Sequence, residues 1–186
     1  MVMISLVRDR LEAVQADAYG YGAKDTGEMG GGAASSIVAG CGKAVLEAIR
    51  VELAKTSRLV GTAVITDSFN LRKRGVKYIL HIVSIIKNTP QGAYCPKPEM
   101  LPLGVETALK LAFSKGCRSV ALAALATGEG RVRPADAARF MLTGVAQFQA
   151  KYKVDLNITF CLPTASDHEA FQAVLNDKAT WGQVNR

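Results

Sequence analysis

The segment VKYILHIVSII, residues 76–86, constrains this chain more than any other stretch. It is apolar almost throughout and rich in β-branched residues, the pattern of a strand covered on both faces. Such a strand needs a layer on each side. RSVALAAL (118–125) and DLNITFCL (155–162) repeat the pattern. Shorter runs, MISLVR (3–8), DAYGYG (17–22) and LVGTAVITDSF (59–69), add further strands. Between them the period changes. Val45, Leu46, Ile49 and Leu53 fall at helical spacing, and PADAARFMLTGVAQFQAKY (134–152) opens with proline at a first helical turn. Strands alternating with helices predict an α/β sandwich around a central, mixed or parallel sheet.

The remaining punctuation predicts shorter features. ASSIVAG reads as a helix stopped by Gly40, and GVETALKLAFSKG as a helix ending at a Gly116 C-cap. SDHEAFQAVLND reads as a helix with Ser166 as N-cap and Glu169 completing a capping box. TPQGAYCPKPEMLP (89–102) carries four prolines in fourteen residues, so it reads as a surface loop, either a lid or a cover for the core. The stretch 177–186 has no periodicity, and its Trp181 is expected to pack across the domain. Residues 1–176 are thus expected to form one domain, with 177–186 as a tail.

Composition narrows the function classes. Hydrophobic residues are 49% and charged residues 21%, a globular balance. No apolar run approaches the roughly 18–20 residues of a membrane span, and MVMISLVRDRLEA is charged too early for a signal peptide. A cytoplasmic location without membrane association is the expectation. Cys41, Cys95, Cys117 and Cys161 form no CxxC pair, and His81 and His168 share no ligand spacing with them. Reduced, buried thiols are expected, with no metal and no cofactor. The net charge of +7 favours an anionic partner: a nucleotide, a nucleic acid or a phosphorylated group. His81, inside an apolar strand, reads as a satisfied core histidine.

Two glycine-bearing junctions stand out. MGGGAASSI (29–37) runs from a strand into a helix start, and ALATGEGRVRPADAA (124–138) does the same after an apolar strand. Glycine lets backbone N–H groups approach a phosphate, and a helix N-terminus favours negative charge. Neither stretch is a P-loop, because no GKS or GKT follows, and neither is a GxGxxG fingerprint. As a pair in one domain they suit a diphosphate held between them.

With these segments, the chain resembles the macro domain family over roughly residues 3–176. ISLVRDRLEAVQADA, GGGAASSIVAGCG, GTAVITDSFNLRKRGVKYILHIVSI and SVALAALATGEGRVRPADAARFM carry the resemblance. It implies a three-layer α/β/α sandwich with a central mixed sheet, and binding of ADP-ribose or a related nucleotide. It also implies the ligand-binding positions. Asp9 and Arg10 fall at the adenine end, Gly30, Gly31, Gly32 and Ala33 in the first phosphate loop, and Ala126, Thr127, Gly128, Glu129, Gly130 and Arg131 in the second.

Several positions depart from the family pattern. Arg10 stands where an adenine-binding Asp is usual, with Asp9 one residue away. The segment YGAK places Lys24 where the hydrolase branch has its second Asn. Ala33 and Ala34 replace the Asp that follows the glycines there, and Ala126 and Arg131 replace glycines of the second loop. Lys24 and Asp25 are the candidate catalytic pair for a lysine-based chemistry. Arg10, Lys24 and Arg131 together are expected to make the cleft more positive, favouring a ligand more anionic than ADP-ribose. Three functions stay open: a binding module, an ADP-ribosyl hydrolase or ADP-ribose-phosphate processing enzyme, and an RNA-binding protein on the same fold. ADP-ribosylated protein and RNA are the corresponding macromolecular partners.

Overall fold

The computed structural model describes residues 2–182. Its strands are β1 (Val2–Val7), β2 (Ala18–Lys24), β3 (Ala63–Asp67), β4 (Tyr78–Ile85), β5 (Ser119–Ala123) and β6 (Leu156–Cys161). They form one six-stranded sheet in the order β1-β6-β5-β2-β4-β3. Each neighbouring pair is parallel except β3 with β4, which is antiparallel, so the sheet is mixed.

Helices α1 (Gly32–Cys41) and α2 (Ala44–Ala54) cover one face, and α3 (Leu101–Ser114), α4 (Pro134–Tyr152) and α5 (Ala165–Asn176) the other. β4 shows why its run is continuously apolar. Ile79 and Val83 pack with α1 and α2, while Leu80 and Ile82 pack with α3 and α4. Alternate side chains of one strand thus enter two separate cores. This is the three-layer sandwich the sequence implied.

Element ends differ from expectation where packing outweighs propensity. α1 runs through Gly40 and stops at Cys41, with Gly42 at φ +88°. Gly40 is bare because Leu71 packs against it: an added Cβ would lie 2.8 Å from Leu71 Cδ2. α5 is capped by Thr164, whose hydroxyl accepts from the Asp167 amide at 3.1 Å, not by Ser166. α3 begins at Leu101 inside the expected loop, because proline at a first-turn position costs the helix no hydrogen bond. Gly116, at φ +81°, follows its end as a C-terminal glycine should. The Pro-rich segment is tied down by an Ile86–Tyr94 bridge and a 3-10 turn at Pro98–Met100. Trp181 packs against the core and donates to the Val174 carbonyl at 2.9 Å. The rest of the expected tail, 183–186, lies outside the described residues.

Candidate functional site

The parallel strands all end at one edge of the sheet. After β2 the chain turns to α1 on one face. After β5, the neighbour of β2, it passes to α4 on the opposite face. Departures in opposite directions open a crevice at the strands' carboxyl ends, where ligands settle in open α/β sheets. A cleft of about 340 Å³ lies there, with Lys24, Ile85, Ala123 and Cys161 from the strand ends in its wall.

The first loop brings Gly30, Gly31, Gly32 and Ala33 to this wall. The three glycines are bare for different reasons. Gly32 has φ +53°, a conformation side chains rarely adopt. Gly31 has φ −151° and ψ 164°, ordinary extended backbone. A Cβ at Gly30 or Gly31 would meet no atom within 4 Å. Neither the fold's packing nor the Gly31 backbone conformation demands glycine there; what remains is close access to the peptide groups. Ala34 and Ser35 both donate to the Gly31 carbonyl, and the earlier amides of the α1 first turn have no partner within the helix. The positive end of α1 therefore faces the cleft.

The second loop contributes Ala126, Thr127, Gly128 and Glu129. Gly128 is also open, with no atom within 4 Å of an added Cβ. Ala126 and Arg131, which stand where the family resemblance has glycine, both have φ +60°. The glycine-like backbone path is kept although the glycines are gone. Gly130 is not in the cleft wall: it packs on Ala126, and a Cβ there would come 2.6 Å from the Ala126 carbonyl oxygen. Arg131 also turns away from the cleft, donating to the Gln91 carbonyl at 3.3 Å. Cys95 donates to the Gly130 carbonyl at 3.0 Å. The Pro-rich segment thus braces the second loop from behind.

Charge in the cleft is not arranged as the substitutions alone suggested. Lys24 is there, but its Nζ lies 3.0 Å from Glu129 Oε2, an ion pair joining the end of β2 to the second loop. Asp25 is not in the wall; its carboxylate accepts from the Lys87 amide at 2.9 Å. The acidic neighbour of Lys24 is therefore Glu129, not Asp25. Glu28 also lines the cleft, and the Lys87 ammonium bonded to both its oxygens at 2.6 Å holds its carboxyl below the usual range. Asp167, in the first turn of α5, completes the acidic wall. The sequence reading missed Glu28 and Asp167. The signal for Asp167 was its place at the third strand-to-helix junction, after β6.

At the other end a recess of about 390 Å³ shares Gly32, Ala33, Ala123 and Cys161 with the cleft and is rimmed by Arg10 and Glu12. Asp9 lines neither part; it is exposed and accepts from the Arg10 amide at 2.8 Å. Cys161 sits buried at the joint, and burial pushes its thiol up to about 12, so it behaves as an apolar floor. All four cysteines are buried and free.

Beneath the cleft, His81 is fully buried between the Tyr21 hydroxyl (2.7 Å to Nδ1) and Thr66 Oγ1 (2.8 Å to Nε2). The Thr66 hydroxyl donates onward to the Asp67 carbonyl. One assignment satisfies every donor: Tyr21 gives to Nδ1, and Nε2–H gives to Thr66. Burial pushes the His81 pKa down to about 3 and raises that of Tyr21. His81 is the satisfied core histidine the sequence predicted.

An α/β/α sandwich with two glycine loops over neighbouring parallel strands, and a cleft at the topological switch point between them, defines the class of fold. The macro domain family model matches residues 22–141, and the chain belongs to the macro domain family. An uncharacterized protein of Pyrococcus abyssi is 31% identical over 139 residues, 68% of this chain and 72% of that protein. Among solved structures, a variant of the Oceanobacillus iheyensis macrodomain with ADPR matches at a TM-score of 0.75 and 22% identity, covering 96% of this chain and 93% of that one. The Trypanosoma brucei macrodomain in complex with ADP-ribose matches at 0.72 and 22%, covering 92% and 68%.

Proposed function

We propose that this protein binds ADP-ribose or a closely related nucleotide, with the diphosphate between the two glycine loops and the adenine toward Arg10. The observation that carries this reading is the open space over Gly30, Gly31 and Gly128. Glycine unneeded for packing, at the positive end of a helix, suits a phosphate bound through backbone N–H groups. The solved relatives that hold ADP or ADP-ribose support the choice of ligand. The reading is binding rather than turnover. Lys24 stands at the position of the hydrolase Asn, and its ammonium is engaged with Glu129.

The test is Gly31→Val, because its extended backbone accepts valine without strain. Calorimetric titration should show ADP-ribose binding weakened by more than about tenfold. The thermal midpoint of the free protein should stay within about 2 °C of the parent. A variant that binds ADP-ribose as the parent does would sink the proposal.

A further inference from the structure

Charged residues in the cleft are sorted along its length. Around the glycine loops the wall carries Lys24 against three carboxylates, Glu28, Glu129 and Asp167, and even with Lys87 paired to Glu28 the carboxylates outnumber the cations. Beyond Cys161 the balance reverses. Arg10 rims the second recess, and Leu11, Glu12 and Ser36 continue from it into a further pocket of about 250 Å³ that reaches Arg74. Over this stretch two arginines face one carboxylate, Glu12. The 3-10 turn Leu11–Ala13 gathers both cations: Arg10 is its N-cap residue, and the Glu12 carbonyl accepts from Arg74 Nη2 at 2.6 Å. That single bond leaves most of the Arg74 donor fork open, and Arg10 has no ion-pair partner among the described residues. Opposite charge at the two ends of one cleft sets up a field along it.

We propose that the preferred ligand carries an additional phosphate on its adenine-side ribose, received by Arg10 and Arg74, and none at its distal end. The proposal rests on the ADP-ribose reading above, with adenine toward Arg10. Arginine forks match phosphate oxygens in pairs, whereas the carboxylates at the far end oppose a phosphate there. The terminal pocket, at about 250 Å³, has room for a phosphate beside Arg74.

The experiment compares ADP-ribose, ADP-ribose 2′-phosphate and ADP-ribose 1″-phosphate by calorimetry at about 0.05 and 0.3 M salt. The two phosphorylated isomers carry the same charge, so the general attraction of a +7 protein cancels between them. The 2′-phosphate should bind about tenfold tighter than ADP-ribose at low salt and lose much of that advantage at high salt, while the 1″-phosphate gains nothing. Arg74→Gln should melt like the parent and keep ADP-ribose affinity while cutting the 2′-phosphate advantage to about threefold or less. Arg10→Gln should lower the same ratio. Equal affinity for the isomers, preference for the 1″-phosphate, or an advantage that survives both substitutions overturns the proposal. Tighter binding of an ADP-ribose dimer than of the 2′-phosphate also overturns it, in favour of a polymer-binding groove. Failure of all three ligands to bind removes the ADP-ribose reading as well, whereas ADP-ribose binding without preference removes this proposal alone.

Discussion

His81 holds a neutral imidazole where no water reaches it, which ties stability to pH through one side chain. Its pKa falls from an ordinary 6.5 to about 3 in the fold. Between those values the unfolded chain holds one proton more than the folded one, so stability drops as pH drops. The slope approaches about 1.4 kcal/mol per pH unit once pH is below 6.5. Asp67, held low by its Arg72 partner, keeps its contribution until the pH nears the ordinary carboxylate range, so it adds little above about pH 5. Urea titrations of the parent at pH 6.5 and 5.0 should therefore differ by about 2 kcal/mol, and His81→Gln should lose most of that difference. An unchanged pH dependence in the variant would show that another group is responsible. The interior place of His81 was legible because Ile79, Leu80, Ile82 and Val83 surround it in the sequence. The partner of Lys24 was not, since Glu129 reaches it only after β2 and β5 have paired. Nor does a charge in a loop reveal its direction: Arg131 is positive, yet it serves the Gln91 carbonyl rather than the cleft.

At the level of elements, hydrophobic period placed the strands and helices, because each strand's side chains must enter two cores. It placed both ends of α4, where proline opens the first turn, but not the end of α1 or the start of α3. Gly40 reads as a stop, yet both it and Gly144, inside α4, are sites where another element comes close. Gly144 in α4 lies against α3: an added Cβ would sit 2.6 Å from the Pro102 carbonyl oxygen and 2.7 Å from Val105 Cβ. Neither obstacle can rotate away, one being backbone and the other a Cβ fixed to it, so α3 and α4 must separate to admit a methyl group. Gly144→Ala should cost about 2 kcal/mol despite the better helix propensity of alanine, which returns only about 1 kcal/mol. A lowered urea midpoint at unchanged slope checks this; a midpoint equal to or above the parent's would mean that the helices adjust freely. Capping follows the same lesson. Ser166 and Glu169 fit a capping box as a string, but the chain leaving β6 turns early, and Thr164 is the residue that meets the free amide.

Across the whole molecule, a net charge of +7 points to an anionic partner without saying where it binds. The glycine-loop end of the cleft runs against the total, with Glu28, Glu129 and Asp167 in its wall and Lys24 and Lys87 paired to two of them. In the binding mode proposed above, a diphosphate between the loops would meet backbone N–H groups and the positive end of α1, but it would also approach the Glu129 carboxylate. That carboxylate repels it and occupies Lys24, the one cation lining this wall among the described residues. Replacing the charge while keeping the shape should release both restraints. Glu129→Gln is therefore expected to bind ADP-ribose about three- to tenfold tighter than the parent at low ionic strength, since like charges near a protein surface oppose each other by about 1 kcal/mol. Glu129 is about half exposed, so the gain should shrink as salt screens it. Lys24→Met in the same background should return part of the gain, because the freed ammonium is one of its two sources. Calorimetry on the three proteins at two salt concentrations measures this directly. Weaker binding by Glu129→Gln would instead make the carboxylate a ligand contact, for instance as an acceptor from a ribose hydroxyl, and would place the sugar rather than the diphosphate beside the second loop.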